Sequence, residues 1–174
     1  ICDLLGGRVR DRIKVYNTCA GFSYVQDKAT QGTGNFGLAS RKGQYEDLDA
    51  FLNRADELAH SLLEMGIDAM KIWPLDYAAE ASQGYWISAA DLKKGLEPFE
   101  KIRRACGDRM DIACELHSLW SRPQAIKIAQ ALEPIRPIWV EDPVFMEHMH
   151  SIGEVARATR SPIAVGETRG GRAD

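Results

Sequence analysis

The chain has 174 residues, of which 45% are hydrophobic and 27% are charged, and these proportions are ordinary for a globular protein. The formal net charge of −3 gives no electrostatic basis for binding nucleic acid or an anionic membrane, and no apolar run approaches the ~20 residues that a membrane-spanning helix needs. The four cysteines form no CxxC pair, which favours reduced thiols and a cytoplasmic protein. The chain starts without an initiator Met or a signal peptide, so we expect a segment of a longer protein.

Predicted strands and helices alternate along the sequence. Residues 13–17 alternate in polarity as a first strand does, and the glycine-containing stretch 18–44 follows as a long loop. Apolar residues at helical spacing predict a helix over 45–66, with Gly66 just past its end. The same two periodicities predict the later elements in this order: strand 67–73, loop 74–87, helix 88–106, strand 110–115, a helix beginning at 121–123, strand 138–141, helix 151–159 and strand 162–167.

Individual residues mark where the predicted helices begin or break. Ser88 and Asp91 have the spacing of an N-terminal capping box, and Pro98, inside the same helix, predicts a kink or a split. Pro123 suits the first turn of the next helix. The apolar stripe of that helix is predicted to comprise Ala125, Ile126, Ala129 and Leu132.

The β-α-β order predicts right-handed crossovers and a parallel sheet, which makes this an α/β protein. Two architectures fit this order, an open doubly wound sheet and a (β/α)8 TIM-type barrel. A nucleotide-binding open sheet is weakened because neither a GxGxxG nor a Walker loop directly follows the first strand. A complete barrel needs about 250 residues, so the five predicted strands make about five βα units of a partial barrel.

Three predicted strands end on, or just before, a glutamate. Glu115, Glu141 and Glu167 are separated by 26 residues each (141 − 115 and 167 − 141), and the carboxyl ends of parallel strands are where barrel enzymes keep their chemistry. Three carboxylates aimed at one point repel each other unless a cation joins them. Mg²⁺ prefers such oxygen ligands. The spacing therefore predicts a magnesium site, whereas a single such acid would more simply cap a helix or pair with an arginine.

Lys71 and Trp73 lie on the second predicted strand and share a face, since side chains two apart on a strand point the same way. A lysine is hard to bury without a partner, so we predict that Lys71 points into a polar centre and binds a substrate carboxylate or acts as a base. Its alternative is a position at the barrel rim. Trp73 is a candidate wall of the substrate pocket, with core packing as its alternative.

His117 follows Glu115 by two residues and is predicted to face the same centre, as a general acid or base or as a partner of the metal ligand. Five other residues are weaker candidates for the site: Asn17 and Cys19 at the end of the first strand, Arg169 as a contact to an anionic substrate or a rim salt bridge, and the neighbouring His148 and His150. For His148 and His150, a solvated loop or helix start is the preferred interpretation. His60 is predicted to lie on the surface.

At these residues the sequence resembles the enolase superfamily, in its mandelate racemase/muconate lactonizing enzyme branch. The family's three metal acids lie on the third, fourth and fifth barrel strands and match Glu115, Glu141 in Val-Glu-Asp-Pro143, and Glu167 in Val-Gly-Glu167. The first of them is usually Asp in the family. Lys71 matches the first lysine of a Lys-x-Lys pair on the second strand, and Trp73 replaces the second. His117 is similar to a histidine of the branch's acid-sugar dehydratases.

The resemblance implies an enzyme of the lyase class that uses Mg²⁺ to dehydrate a sugar acid, an aldonate or aldarate. The α-proton is removed, the enediolate is stabilised by the metal and Lys71, and His117 protonates the departing β-hydroxyl to give a 2-keto-3-deoxy acid. The base is a histidine on the family's seventh strand, past residue 174. Residues 1–12 would be a linker from an N-terminal capping domain, residues 13–174 the first part of the barrel, and the full-length enzyme a homo-oligomer.

Two other readings of the sequence stay open. One is a racemase, epimerase or cycloisomerase of the same superfamily, although the missing second lysine disfavours two-base racemization and lysine-based cycloisomerization. The other is a non-catalytic metal-binding fragment of a barrel.

Overall fold

The computed structural model describes residues 1–20, 47–145 and 149–167. Four parallel strands form one sheet in the order β1-β2-β3-β4, and every crossover between them contains helix, as the sequence predicts for an α/β protein. The strands are β1 Ala69–Ile72, β2 Asp111–Glu115, β3 Val140–Glu141 and β4 Ile163–Ala164. The helices are α1 Asp47–Asn53, α2 Ala55–Glu64, α3 Asp76–Ser82, α4 Ala89–Cys106, α5 Arg122–Leu132 and α6 Met149–Ala158.

The register of the sheet sets the acids of β2 and β3 side by side. Glu115 pairs directly with Glu141, and Glu141 pairs with Ala164. Lys71 pairs with Ala113, two residues before Glu115. Because alternate side chains share a face, this register brings Lys71, Glu115 and Glu141 to the same side of the sheet, near its carboxyl edge.

The opposite side of the sheet carries the hydrophobic core. Helices α2 and α4 pack together over it, and so do α5 and α6. Their inward residues close on the strand residues that face them. The largest fully buried side chains of this core include Phe51, Phe99, Leu62, Met70, Ile72, Ile102 and Met110. Burial of this apolar surface stabilises the layer by about 25 cal/mol per Å², and it leaves the polar side of the sheet available for chemistry.

The first predicted strand, 13–17, is wrong in extent. Asn17 alone makes a parallel bridge, to Met70: its N–H donates to the carbonyl of Ala69, and its carbonyl accepts from the N–H of Lys71. The preceding residues Ile13 and Val15 are 80% and 59% exposed. The polarity alternation is present, but only its last residue reaches the edge of β1.

The helix predicted over 45–66 is two helices. Arg54 separates them, with φ −140° and ψ 48°, outside the helical region. The break lets α1 and α2 turn separately, so that Phe51 and Leu62 are both fully buried. Gly66 lies just past α2 with φ +79°, as its predicted place beyond the end of the helix requires.

The predicted loop 74–87 is also wrong, because it contains helix α3. This helix has seven residues, about two turns, which is too short for a periodic pattern to be recognised in the sequence. It buries Ala78 and Ala79 and ends at Gln83, in the left-handed region with φ +51°.

Helix α4 begins as predicted and does not split at Pro98. The hydroxyl of Ser88 accepts the N–H of Asp91 at 3.0 Å, which confirms the cap. The helix runs without interruption to Cys106. Proline removes one backbone hydrogen bond, and the neighbouring Phe99 and Ile102 are buried in the continuous helix.

The later elements fall where they are predicted, with smaller differences. Pro123 lies in the first turn of α5. The stripe that α5 buries contains Ile128 in place of Ile126, which is half-buried. Strands β3 and β4 are shorter than predicted, so Glu167 lies three residues past the end of β4. None of the described helices is long and apolar enough to cross a membrane.

Candidate metal and active site

The three predicted metal acids converge at the carboxyl edge of the sheet. Carboxylate oxygens of Glu115, Glu141 and Glu167 all lie within 4.8 Å of one another. Glu115 is fully buried, Glu141 is half-buried and Glu167 is exposed, so the trio runs from the protein interior to its surface. The donors are all carboxylate oxygens, which is the set that Mg²⁺ prefers. These residues therefore fit a magnesium ion.

Lys71 joins two of the acids. Its Nζ donates to Oε2 of Glu115 and to Oε1 of Glu141, at 2.8 Å each, and its side chain is 8% exposed. Burial alone lowers the pKa of this ammonium, but the hydrogen bonds and charges of the two glutamates outweigh burial and raise it. Lys71 is therefore a fixed positive charge beside the acids, pointing into the polar centre as predicted.

The two paired glutamates have opposite pKa shifts. Burial raises the pKa of Glu115 to about 7, against the lowering effects of His117 and Lys71. The pKa of Glu141 is lowered: burial raises it, but the hydrogen bonds it makes outweigh that effect, including those with Lys71 and with the indole N–H of Trp139. A cation bound here in addition to the Lys71 ammonium would favour the ionised form of both glutamates.

The backbone after β2 holds Glu115 in place. Its Oε1 accepts the N–H groups of Leu116 and of His117, at 3.0 and 2.9 Å. His117 has φ +48° and Ser118 has φ +57°, a left-handed conformation that costs non-glycine residues about 1–2 kcal/mol each. The hydrogen bonds to Glu115 are part of what offsets that cost.

His117 is buried next to Glu115 and is bonded to an aspartate for which the sequence alone predicts no role. Its Nδ1 lies 2.8 Å from Oδ2 of Asp76, which is fully buried. Burial lowers the pKa of the imidazole, and the hydrogen bond and charge of Asp76 outweigh it, so the pKa is raised. Asp76 lies in the predicted loop 74–87, where no periodicity indicates which residues turn inward.

Trp73 lies behind His117. It is 1% exposed, and its ring meets the imidazole edge-on at 5.4 Å and the ring of Phe51 at 5.1 Å. This environment corresponds to core packing, which was the alternative for Trp73. A role of Trp73 in substrate binding stays a prediction.

A cavity of about 490 Å³ opens beside the acids on the polar side of the sheet. Its wall combines charged and aromatic side chains, and Tyr16 and Trp139 meet edge-on there at 5.3 Å. The sequence signal for Trp139 was its place two residues before Glu141, on the same face of the strand. The lining residues are Tyr16, Lys71, Trp139, Glu141, Ala164, Val165, Gly166 and Glu167.

The remaining candidates have different outcomes. Asn17 lies at the edge of β1, where its amide donates to Asp47 and its Oδ1 accepts the N–H of Cys19. Cys19 is fully buried, and burial raises the pKa of its thiol. His60 is exposed, and His150 is exposed in α6 beside Glu154, as predicted. Arg169, His148 and most of the loop 18–44 lie outside the described residues.

Comparison with known proteins identifies the family. A family model described as "Enolase C-terminal domain-like" matches residues 54–174. The D-galactonate dehydratase of Variovorax paradoxus (strain S110) is 30% identical over 170 residues, which are 96% of this chain and 35% of the relative. The D-gluconate dehydratase of Thermoproteus tenax is 28% identical over 165 residues, 95% of this chain and 27% of the relative. The chain thus spans 27–35% of the length of these two relatives.

Solved structures agree with that result. An enolase of the mandelate racemase subgroup from Agrobacterium tumefaciens is 44% identical with a TM-score of 0.76, and the match covers 99% of this chain and 38% of that one. A mandelate racemase/muconate lactonizing enzyme-like protein from Rubrobacter xylanophilus is 26% identical with a TM-score of 0.70, over 95% of this chain and 40% of that one. With its parallel strands and converging strand-end acids, this chain belongs to the enolase superfamily, in the mandelate racemase/muconate lactonizing enzyme branch, as part of a (β/α)8 barrel.

Proposed function

We propose that this chain forms the metal-binding half of the active site of a sugar-acid dehydratase, a lyase. The observation that carries the proposal is the convergence of Glu115, Glu141 and Glu167 within 4.8 Å, beside Lys71 and in the same strand-end region as His117. The relatives named D-galactonate and D-gluconate dehydratase support an aldonate as the substrate.

Glu115, Glu141 and Glu167 would hold a Mg²⁺ ion. When bound, the ion would supply Lewis-acid polarisation of the substrate carboxylate, which makes the α-proton more acidic. Lys71 would contribute a second positive charge at the same carboxylate, held in place by its two glutamate partners before the substrate arrives. Tyr16 and Trp139, in the cavity wall, would exclude water on one side of the substrate.

His117 would give a proton to the departing β-hydroxyl. The C–O bond breaks with its electron pair on oxygen, the proton from the imidazole completes a water molecule, and the electrons of the α-C–H bond become the new double bond. The α-proton would pass to a base, which by analogy with the family would be a histidine on the seventh strand of the complete barrel. The enol product then becomes a 2-keto-3-deoxy acid.

The test replaces His117 with asparagine in protein that carries this chain within a complete barrel. We expect dehydration of D-gluconate or D-galactonate to fall by about 10²–10⁴-fold, which is the usual contribution of a positioned acid, while Mg²⁺ affinity is unchanged. Product formation and calorimetric Mg²⁺ binding are measured on the same preparations. Full dehydratase activity in H117N would contradict the role of His117.

Two measurements separate the alternatives. A racemase or epimerase would exchange the α-hydrogen with deuterium from solvent and release no 2-keto product. A non-catalytic protein would bind Mg²⁺ without exchange or elimination. The placement of Trp73 where the family's second lysine is expected favours dehydration over a two-base racemization.

A further inference from the structure

Asp76 is a buried carboxylate to which the proposed reaction assigns no role. It is 0% exposed and begins α3, three residues after Trp73. Burying a carboxylate this completely is costly unless a donor holds it. Its Oδ2 lies 2.8 Å from Nδ1 of His117, which is forty-one residues later in the chain, so the imidazole supplies such a donor.

Contacts with described residues fix the place of His117 and of its ring. Asp76 bonds its Nδ1, Trp73 packs edge-on against its ring at an interplanar angle of 77°, and the backbone N–H of His117 is bonded to Glu115. Trp73 is itself backed by Phe51. Trp73, just after β1, and Asp76, the first residue of α3, therefore control where the ring lies and which of its nitrogens faces away from Asp76.

An ionised carboxylate only accepts hydrogen bonds, so Asp76 requires the hydrogen on Nδ1. We infer that Asp76 and Trp73 are positioning residues for His117. They hold its Nδ1–H toward Asp76 and direct its Nε2 to the reacting end of the substrate. Only the assignment of Nε2 to the substrate rests on the proposed function. At position 73, where the family resemblance implies a second lysine, the chain has a tryptophan that packs against His117.

The proton transfer from His117 to the departing hydroxyl is consistent with this arrangement. The proton that completes the departing water leaves Nε2, and the ring becomes neutral with its hydrogen still on Nδ1. Asp76 keeps its charge throughout and changes no bond. An aspartate that orients a catalytic imidazole in this way is known to matter through the tautomer it selects.

The test reads the tautomer of His117 directly, by ¹⁵N NMR of the chain labelled at its four histidines, with H117Q to assign the signal. At a pH where the ring is neutral, we expect a pyrrole-type shift at Nδ1 and a pyridine-type shift at Nε2. In D76N the side-chain amide can donate to Nδ1. We therefore expect the neutral imidazole of His117 to change from the Nδ1–H tautomer to the Nε2–H tautomer.

Asp142→Asn is the matched control. Asp142 is also 0% exposed, but the hydrogen bond of its Oδ1 is with the N–H of Gly166, at 3.0 Å. D142N removes an equally buried charge from the same edge of the sheet, and we expect it to leave the Nδ1–H form of His117 in place.

Three results would overturn the inference: an Nε2–H form in the wild type, an unchanged tautomer in D76N, or the same change in D142N. The wild-type spectrum decides the first of these even if D76N does not fold. The tautomer measurement uses no substrate. Expected tautomers together with no dehydratase turnover in a complete barrel that carries this chain would contradict the proposed function and leave the positioning role intact.

Discussion

Glu115 and Glu167 show how differently two residues of the candidate metal site are embedded. Glu115 is fully buried, and it accepts hydrogen bonds from two backbone N–H groups and from Lys71. Replacing it would take one of two carboxylate partners from the buried Lys71 and would leave the N–H groups of Leu116 and His117 without their acceptor, which is destabilising. Glu167 is exposed. Its loss tests ion binding without that complication.

We therefore expect Glu167→Gln to weaken Mg²⁺ binding by about tenfold or more, which corresponds to about 1.4 kcal/mol, because one of three ionic oxygen ligands becomes a neutral amide. Titration calorimetry of the chain measures the affinity. Glu100→Gln, an exposed glutamate on α4, is the control and should bind Mg²⁺ as the wild type does. Equal affinities for E167Q and the wild type would remove Glu167 from the site.

At the scale of elements, long helices hold very short strands. Strands β3 and β4 have two residues each, whereas α4 has eighteen. The strands are too short for ladder hydrogen bonds alone to fix their register, so the packed helices must contribute. How each helix begins is therefore part of what positions the site.

Two serines at helix starts allow that contribution to be measured. Ser88 caps α4 through its hydroxyl, whereas Ser121 stands at the N-cap of α5 and makes no side-chain cap hydrogen bond. We expect S88A to lower the free energy of unfolding by about 1 kcal/mol, because the N–H of Asp91 loses its acceptor. Urea denaturation measures the change. S121A is the paired control, and an equal loss in both variants would show that the cap contact is not the cause.

At the scale of the whole molecule, the connections that follow β1, β2 and β3 bind one another above the sheet edge. The N–H of Ser121 donates to the carbonyl of Gly84, and the N–H of Phe145 donates to the carbonyl of Trp120. A Cβ added at Gly84 would lie 1.8 Å from the carbonyl oxygen of Leu119. The absence of a side chain at Gly84 is what lets the first two connections meet.

We expect Gly84→Ala to destabilise the chain more than Gly66→Ala. Both glycines have positive φ, +73° and +79°, but a Cβ at Gly66 would meet nothing within 4 Å. G66A should cost only the left-handed conformation, about 1–2 kcal/mol, while G84A adds about 1–3 kcal/mol of overpacking. Urea denaturation compares the two. Equal losses would show that the connections can separate without cost.

The sequence by itself determined the sheet and the place of the acids. A strand repeats every two residues, and parallel strands share one carboxyl edge. Local spacing was therefore enough to bring Glu115 and Glu141 together and to send Lys71 to the same face. The family followed from those same residues.

Only the tertiary structure decided how these side chains are partnered. Lys71 and Glu115 are forty-four residues apart, and Asp76 and His117 are forty-one. Asp76 lies in a short helix whose orientation depends on long-range packing, which leaves no periodic signal. The break at Arg54 and the detachment of residues 13–16 from the sheet have the same origin. Periodicity indicates which face a residue occupies, whereas the contact it makes there depends on elements that are distant in the sequence.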